Sequence, residues 1–117
     1  MNIERYRSYC LEKKGVTEEF PFDSNTLVFK VMGKMFALTD VTTFSSINLK
    51  CDPEEAVELR ETYEAVLPGY HMNKKHWNTV LMDGSLPDKV LLSWIDKSYN
   101  LVVLSLSRSE KLAMNTL

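Results

Sequence analysis

The sequence predicts a single α+β domain built on an antiparallel sheet. Two-residue alternation recurs in short segments separated by turn residues, as in Leu27, Phe29 and Val31 ahead of Gly33. Helical spacing recurs in three separate stretches that open at Ile3, Pro53 and Pro87. No repeat, low-complexity tract or Pro/Gly/Ser linker divides the 117 residues, so residues 1–117 read as one domain.

The first helix is expected over Ile3 to Lys14. Asn2 suits the N-cap, because its side-chain oxygen accepts from the first free amides. Ile3, Tyr6, Cys10 and Leu11 form its apolar stripe, and Gly15 ends it. Pro21 disfavours helix at Phe20, so residues 18–23 read as an extended connection with two aromatics to bury. Thr26–Val31 and Lys34–Thr39 then form a hairpin around Gly33. Ser46–Lys50 is a third strand, with Ile47 and Leu49 inward and Asn48 and Lys50 outward.

Asp52 caps a second helix opened by Pro53, whose missing N–H costs nothing at the first helical position. Ala56, Leu59, Tyr63 and Val66 place its inner face, and Pro68-Gly69 stops it. Tyr70–Met72 and His76–Leu81 are expected to pair as a second hairpin around Asn73-Lys74-Lys75. Asp83-Gly84 turns the chain into a long helix from Pro87 to about Leu106. The segment 107–117 reads as a short helical or frayed tail.

With 44% hydrophobic and 26% charged residues, the chain is neither disordered nor fibrous. Its net charge of −2 carries no basic excess, so a nucleic-acid role has to come from a local patch. Charge is uneven: Glu54, Glu55, Glu58, Glu61 and Glu64 face Arg60 alone in residues 53–70. Lys74 and Lys75 follow directly, between His71 and His76. The N-terminal residues lack the apolar run of a secretory signal, and no stretch approaches a membrane span. A cytoplasmic monomer is expected, with Cys10 and Cys51 reduced.

One ordered set of residues carries a family resemblance. Ser8-Tyr9-Cys10-Leu11, Gly15 through Phe22, Phe29 through Ala37, Ile47 through Cys51, and Pro68 through Val80 together resemble the MmcQ/YjbR family over nearly the whole chain. The resemblance implies a frataxin/CyaY-like two-layer sandwich. Its antiparallel sheet would comprise two hairpins and a strand, packed by the N-terminal, middle and long C-terminal helices. It also implies a DNA-binding role through a double-wing arrangement.

The residues themselves offer one candidate surface. His71, Asn73, Lys74, Lys75 and His76 lie within six positions, beside Trp77. Lysines on a turn can reach phosphate oxygens, and an indole can stack on a base or pack beneath. Lys34 tips the first hairpin, with Asn48 and Lys50 on the outward face between. The ordinary alternative is a solvated turn over a core tryptophan, in a protein-interaction or small-ligand module. His71 and His76 with Cys51 and Asp52 lack the spacing of a helix-borne metal pair. The frataxin-like resemblance implies iron at the acidic helix, whose carboxylates suit a hard cation; a glutamate-rich outer face is also the usual solubilising device. Cys10 sits on an apolar stripe, and Asp52 opposes a thiolate at Cys51. No Gly-rich phosphate loop, Gly-x-Ser-x-Gly turn or His-Glu-x-x-His helix is present. The expectation is a non-enzymatic binding module that needs no cofactor.

Overall fold

The computed structural model describes residues 1–117. Helix α1 spans Ile3–Leu11, and Asn2 caps it by accepting from the Arg5 amide at 2.8 Å. It stops three residues short of Lys14, and Gly15 then turns the chain with φ +76°. Strand β1, Val16–Glu19, follows; it was not expected, and it takes in only the first two residues of the connection expected over 18–23. It is an edge strand, paired only with Thr26–Val31 (β2) through the register Val16↔Val31, so one apolar residue suffices to seat it.

β2 and Lys34–Asp40 (β3) form the expected hairpin. Met32 and Gly33 both have positive φ, 49° and 83°, as the tight primed hairpin turn demands. A bulge shifts the register after Phe29, which pairs with Ala37 while Lys30 pairs with Met35. Phe36 is the extra residue, so Phe36 and Ala37 both enter the core. β4 is Ser46–Lys50.

Helix α2, Pro53–Thr62, opens as expected, with the Asp52 side chain accepting from the Glu54 amide at 3.1 Å. It ends earlier than the apolar spacing suggested. Tyr63 is extended, and Val66–Pro68 forms a strand, β5. The sheet claims Val66 by pairing it with Val80 of β6, Trp77–Leu81. The second hairpin is therefore β5–β6, and Tyr70–Met72 is part of its connecting loop, not a strand. At the start of that loop the backbone is tight: a Cβ on Gly69 would lie 2.8 Å from both the Cβ and the carbonyl oxygen of Trp77. Helix α3 spans Asp88–Ser105, close to expectation. The last segment is an ordered helix, α4, Arg108–Asn115, closed by a capping box between Ser107 and Glu110.

The result is an α+β fold with four helices and one open antiparallel sheet of six strands, ordered β1-β2-β3-β4-β6-β5. The main core lies on one sheet face. Tyr6 and Cys10 of α1, Leu91, Trp94, Ile95 and Val102 of α3, and Met114 of α4 pack there on Phe29, Phe36, Ile47 and Leu49. Ser98 of α3 ties this layer to the sheet, accepting from the Lys50 amide at 2.9 Å and donating to the Phe36 carbonyl at 2.5 Å. Residues alternating with this set form the outer face, where Val28, Leu38 and Trp77 make a second small cluster under Met35 and Met72.

At the β5 border, Ala65 accepts from the Leu81 amide and Gly69 donates to the Trp77 carbonyl, which turns the backbone amide and carbonyl positions of Val66 and Pro68 away from β6 while the Val66 side chain stays in the core. The Val66 amide donates to Tyr63 at 3.1 Å, and Pro68 has no amide proton. No helix is long and apolar enough to cross a membrane.

Candidate nucleic-acid interface

Strand alternation puts Asn48 and Lys50 of β4 on the outer face, opposite Thr79 and Trp77 of β6. Trp77 is buried at 8% exposure, so its indole forms the floor and not a free stacking surface. Two loops border this face. One is the 20–25 connection. The other is the 69–76 connection, which lays Met72 against the floor.

Two clefts of about 440 Å³ each open here, one bordered by the 20–25 loop, the β2–β3 turn and the end of α3 at Val102 and Ser105, the other lying between the two loops. Lys30, Lys34, Lys50, Met35 and Trp77 line the first, with Phe22. Asn48, Asp40, Leu38, Tyr70 and His71 line the second, again with Phe22. Phe22 thus stands at their junction, 64% exposed, and Tyr70 is 70% exposed. These values overturn the expectation that the aromatics of residues 18–23 are buried; Phe20 is half-exposed as well. The reason is that β1 already completes the sheet edge, leaving 20–25 to arch over the solvent side.

The lysines differ in their partners. Lys30 is paired with Glu19 across β1–β2 at 2.7 Å. Lys34 donates weakly to the Ser105 carbonyl at 3.4 Å and lies 3.8 Å from Glu110. Lys50 has no carboxylate within ion-pair distance. In the second cleft the Thr79 hydroxyl donates to Asn48 Oδ1 at 2.5 Å and accepts from the Tyr70 amide at 2.9 Å. The Asn48 amide nitrogen is left as a donor toward the cleft. His71 is held at φ 57°, a conformation costly for a non-glycine residue, with its ring 4.0 Å from that of Tyr70.

The remaining sequence candidates lie elsewhere. Asn73 is a turn-former: its side chain accepts from the Lys75 amide, and its carbonyl accepts from the His76 and Trp77 amides. Lys74 Nζ folds back on the Gly69 carbonyl at 3.1 Å. Lys74 and Lys75 border an open groove with Glu54, Glu58 and Arg60 of α2. The acidic helix therefore lies beside the basic turn, and the two fields offset each other. His76 serves through its backbone, its carbonyl accepting from the Cys51 amide at 2.8 Å. The structure thus gathers Asn48, Lys50, His71 and Trp77 on the outer face and separates them from Lys74 and Lys75. Lys34, opposite the core residue Val31, points to the helical side, toward Ser105 and Glu110.

Sequence reasoning missed Lys30, Phe22 and Tyr70. Lys30 was legible in the alternation of β2, where it must face away from Phe29. Nothing in the sequence signals that Phe22 and Tyr70 approach the same cleft.

No set of three or more His, Cys, Asp or Glu side chains converges as a metal cage. Both cysteines are free thiols. Burial pushes Cys10 up to about 12; burial, then Glu55 and Asp52, pushes Cys51 up to about 11. Neither is an activated nucleophile at neutral pH. A cavity of about 20 Å³ between the sheet and α2–α3 is lined by Cys51, Asn78 and Trp94. It is sized for a single water, not a ligand.

A helical layer over one sheet face, with the other face recessed between two loops, defines a class of small α+β proteins that expose a sheet surface. Within that class, the family model described as YjbR matches residues 11–101, and the chain belongs to the YjbR family. It is 36% identical over 104 residues to YjbR of Escherichia coli K12, covering 88% of each chain. A crystal structure of the Deinococcus radiodurans protein DR2400, a DUF419-domain protein, superposes with TM-score 0.91 at 40% identity, covering 97% of this chain and 88% of that one. A Pseudomonas syringae crystal structure gives TM-score 0.74 at 31% identity, covering 86% and 98%.

Proposed function

We propose that this protein is a non-enzymatic binding module that takes DNA on the outer face of its sheet. The observation that carries the reading is the convergence of Lys30, Lys50 and the exposed Phe22 ring on one cleft over the buried Trp77, with Lys34 reaching its rim from the helical side. Cations beside apolar rings suit a polyanion with flat bases. The wings of this reading are the 20–25 and 69–76 loops that flank the face, in place of the Lys34 and Lys74–Lys75 tips. Helices gathered on one side of an antiparallel sheet favour the frataxin/CyaY-like two-layer description. Two free, unactivated thiols suit a cytoplasmic setting.

The electrostatics set the strength. Two of the three lysines have carboxylates nearby, so affinity should be modest and about three phosphates should be neutralised at most. Binding should then weaken by at most roughly 40-fold for a duplex, or about 20-fold for a single strand, between 50 and 200 mM salt. Fluorescence anisotropy with labelled DNA measures this. Lys50→Ala should lower affinity and flatten the salt slope, whereas Lys74→Ala/Lys75→Ala should change both little. Failure to bind DNA at the lowest salt rejects the proposal.

A second reading is favoured by the cleft volumes, which fall in the range of small-molecule sites. In that reading the module holds a small anionic compound, and thermal unfolding rises with that compound but not with DNA.

A further inference from the structure

We infer that the outer face accepts unpaired nucleotides, so the DNA it binds is single-stranded. This inference rests on the DNA-binding reading above and concerns the same site.

Three observations on the page support it. The first is the charge layout along the face. Lys30 and Lys50 line one cleft, with Lys34 at its rim on the helical side, whereas Asp23 and Asp40 line the other. A duplex presents phosphates along both strands at short, regular intervals, and would set some of them against the two carboxylates. A single strand can place a phosphate at the lysines and turn a base, which carries no charge, toward the aspartates.

The second is the hydrogen-bonding capacity of the acidic cleft. Asp40 Oδ1 is committed to the Thr42 amide at 2.8 Å and, more weakly, to the Thr43 amide, which leaves Oδ2 to accept. Asn48 Oδ1 is committed to Thr79, which leaves its amide nitrogen to donate. An acceptor and a donor in one cleft match the amino group and ring nitrogen on the edge of an adenine or cytosine. In a duplex those Watson–Crick edges are occupied by the partner strand.

The third is the pair of exposed rings. Phe22 and Tyr70 both line the acidic cleft and stand free of the core. Exposed aromatics beside a polar cleft are the means by which proteins hold splayed bases, since every base has a face to stack.

The test measures anisotropy with an end-labelled mixed-sequence strand of 12 nucleotides, alone and annealed to its complement, with dAMP as competitor. The strand should bind at least tenfold more tightly than the duplex, and dAMP should compete only in large excess. Phe22→Ala and Tyr70→Ala should each weaken strand binding roughly tenfold, within the range of a lost stacking contact. Phe22→Tyr and Tyr70→Phe should retain it. Both side chains are exposed, so the thermal midpoint of each variant should match that of the parent. If the duplex binds as tightly as the strand, or the alanine variants bind the strand unchanged, the single-strand assignment falls while DNA binding stands. If dAMP displaces the strand at comparable concentration, the site is one for free nucleotides. If neither form of DNA binds, the underlying reading falls with it.

Discussion

Ser98 shows how much a single small residue settles in this fold. The β3–β4 ladder ends at Ala37↔Leu49, and at the next position the Phe36 carbonyl and the Lys50 amide meet a side chain of α3 in place of each other. One buried hydroxyl from α3 serves both. Ser98→Ala should strand the two groups and cost about 1–3 kcal/mol, read from the midpoint of urea unfolding. A loss below a few tenths would mean that the neighbouring backbone re-pairs. Because the Lys50 backbone is one of the orphaned groups, the same substitution should also weaken DNA binding beyond what stability explains. At this scale the sequence was informative wherever a residue's own conformation decides the outcome. Asn2, Gly15, Gly33, Asp52 and Pro53 all do what their chemistry favours. It was uninformative about Ser98, whose partners are 48 and 62 residues away.

Among the elements, those with strong internal periodicity matched the sequence reading, and those defined by a partner did not. β2, β3, β4 and α3 carry their own pattern. β1 and β5 are short border strands that exist because a neighbour offers a ladder, so their residues read equally well as loop or helix end. Helix α4 is a different case, because its signal was present. Ser107-Arg108-Ser109-Glu110 is a capping box in plain sequence, and the structure closes it with the Ser107 hydroxyl accepting from the Glu110 amide at 3.1 Å and Glu110 accepting from the Ser107 amide at 2.9 Å. Ser107→Ala should cost about 1 kcal/mol and loosen Met114 from the core. Hydrogen exchange across residues 108–115 should speed up while α3 stays protected; uniform exchange in both helices would contradict a local role. The candidate face was half legible for the same reason. Alternation placed Asn48 and Lys50, but the loops that wall the face obey no period.

For the molecule as a whole, buried ionisable groups predict sensitivity to alkali. Burial holds the Tyr6 hydroxyl well above its ordinary range. Burial and Asp96 push Tyr9 up to about 12, and Cys10 and Cys51 stand near 12 and 11. In the unfolded chain these groups ionise near 9 for cysteine and 10 for tyrosine. The folded state therefore binds more protons between pH 9 and 12, and stability falls as pH rises through that window. Thermal midpoints should be level from neutrality to about pH 9 and drop by several degrees by pH 11. A midpoint unchanged at pH 11 would show that these groups are hydrated in the native state. On the acid side the direction reverses. Arg7 holds Glu18 below the usual carboxylate range, and the Ser107 amide does the same for Glu110, so their contribution fades as pH falls through those lowered values.

The asymmetry between the two margins of the sheet limits how copies of the protein can join. Along β5 the outward positions offer no amide proton, because Val66 has spent its own on Tyr63 and Pro68 never had one. The Val66 and Pro68 carbonyls can still accept, so β5 offers half a ladder where β1 offers a whole one. A second copy is therefore best seated β1 against β1, an isologous pairing that uses the fuller margin of both partners.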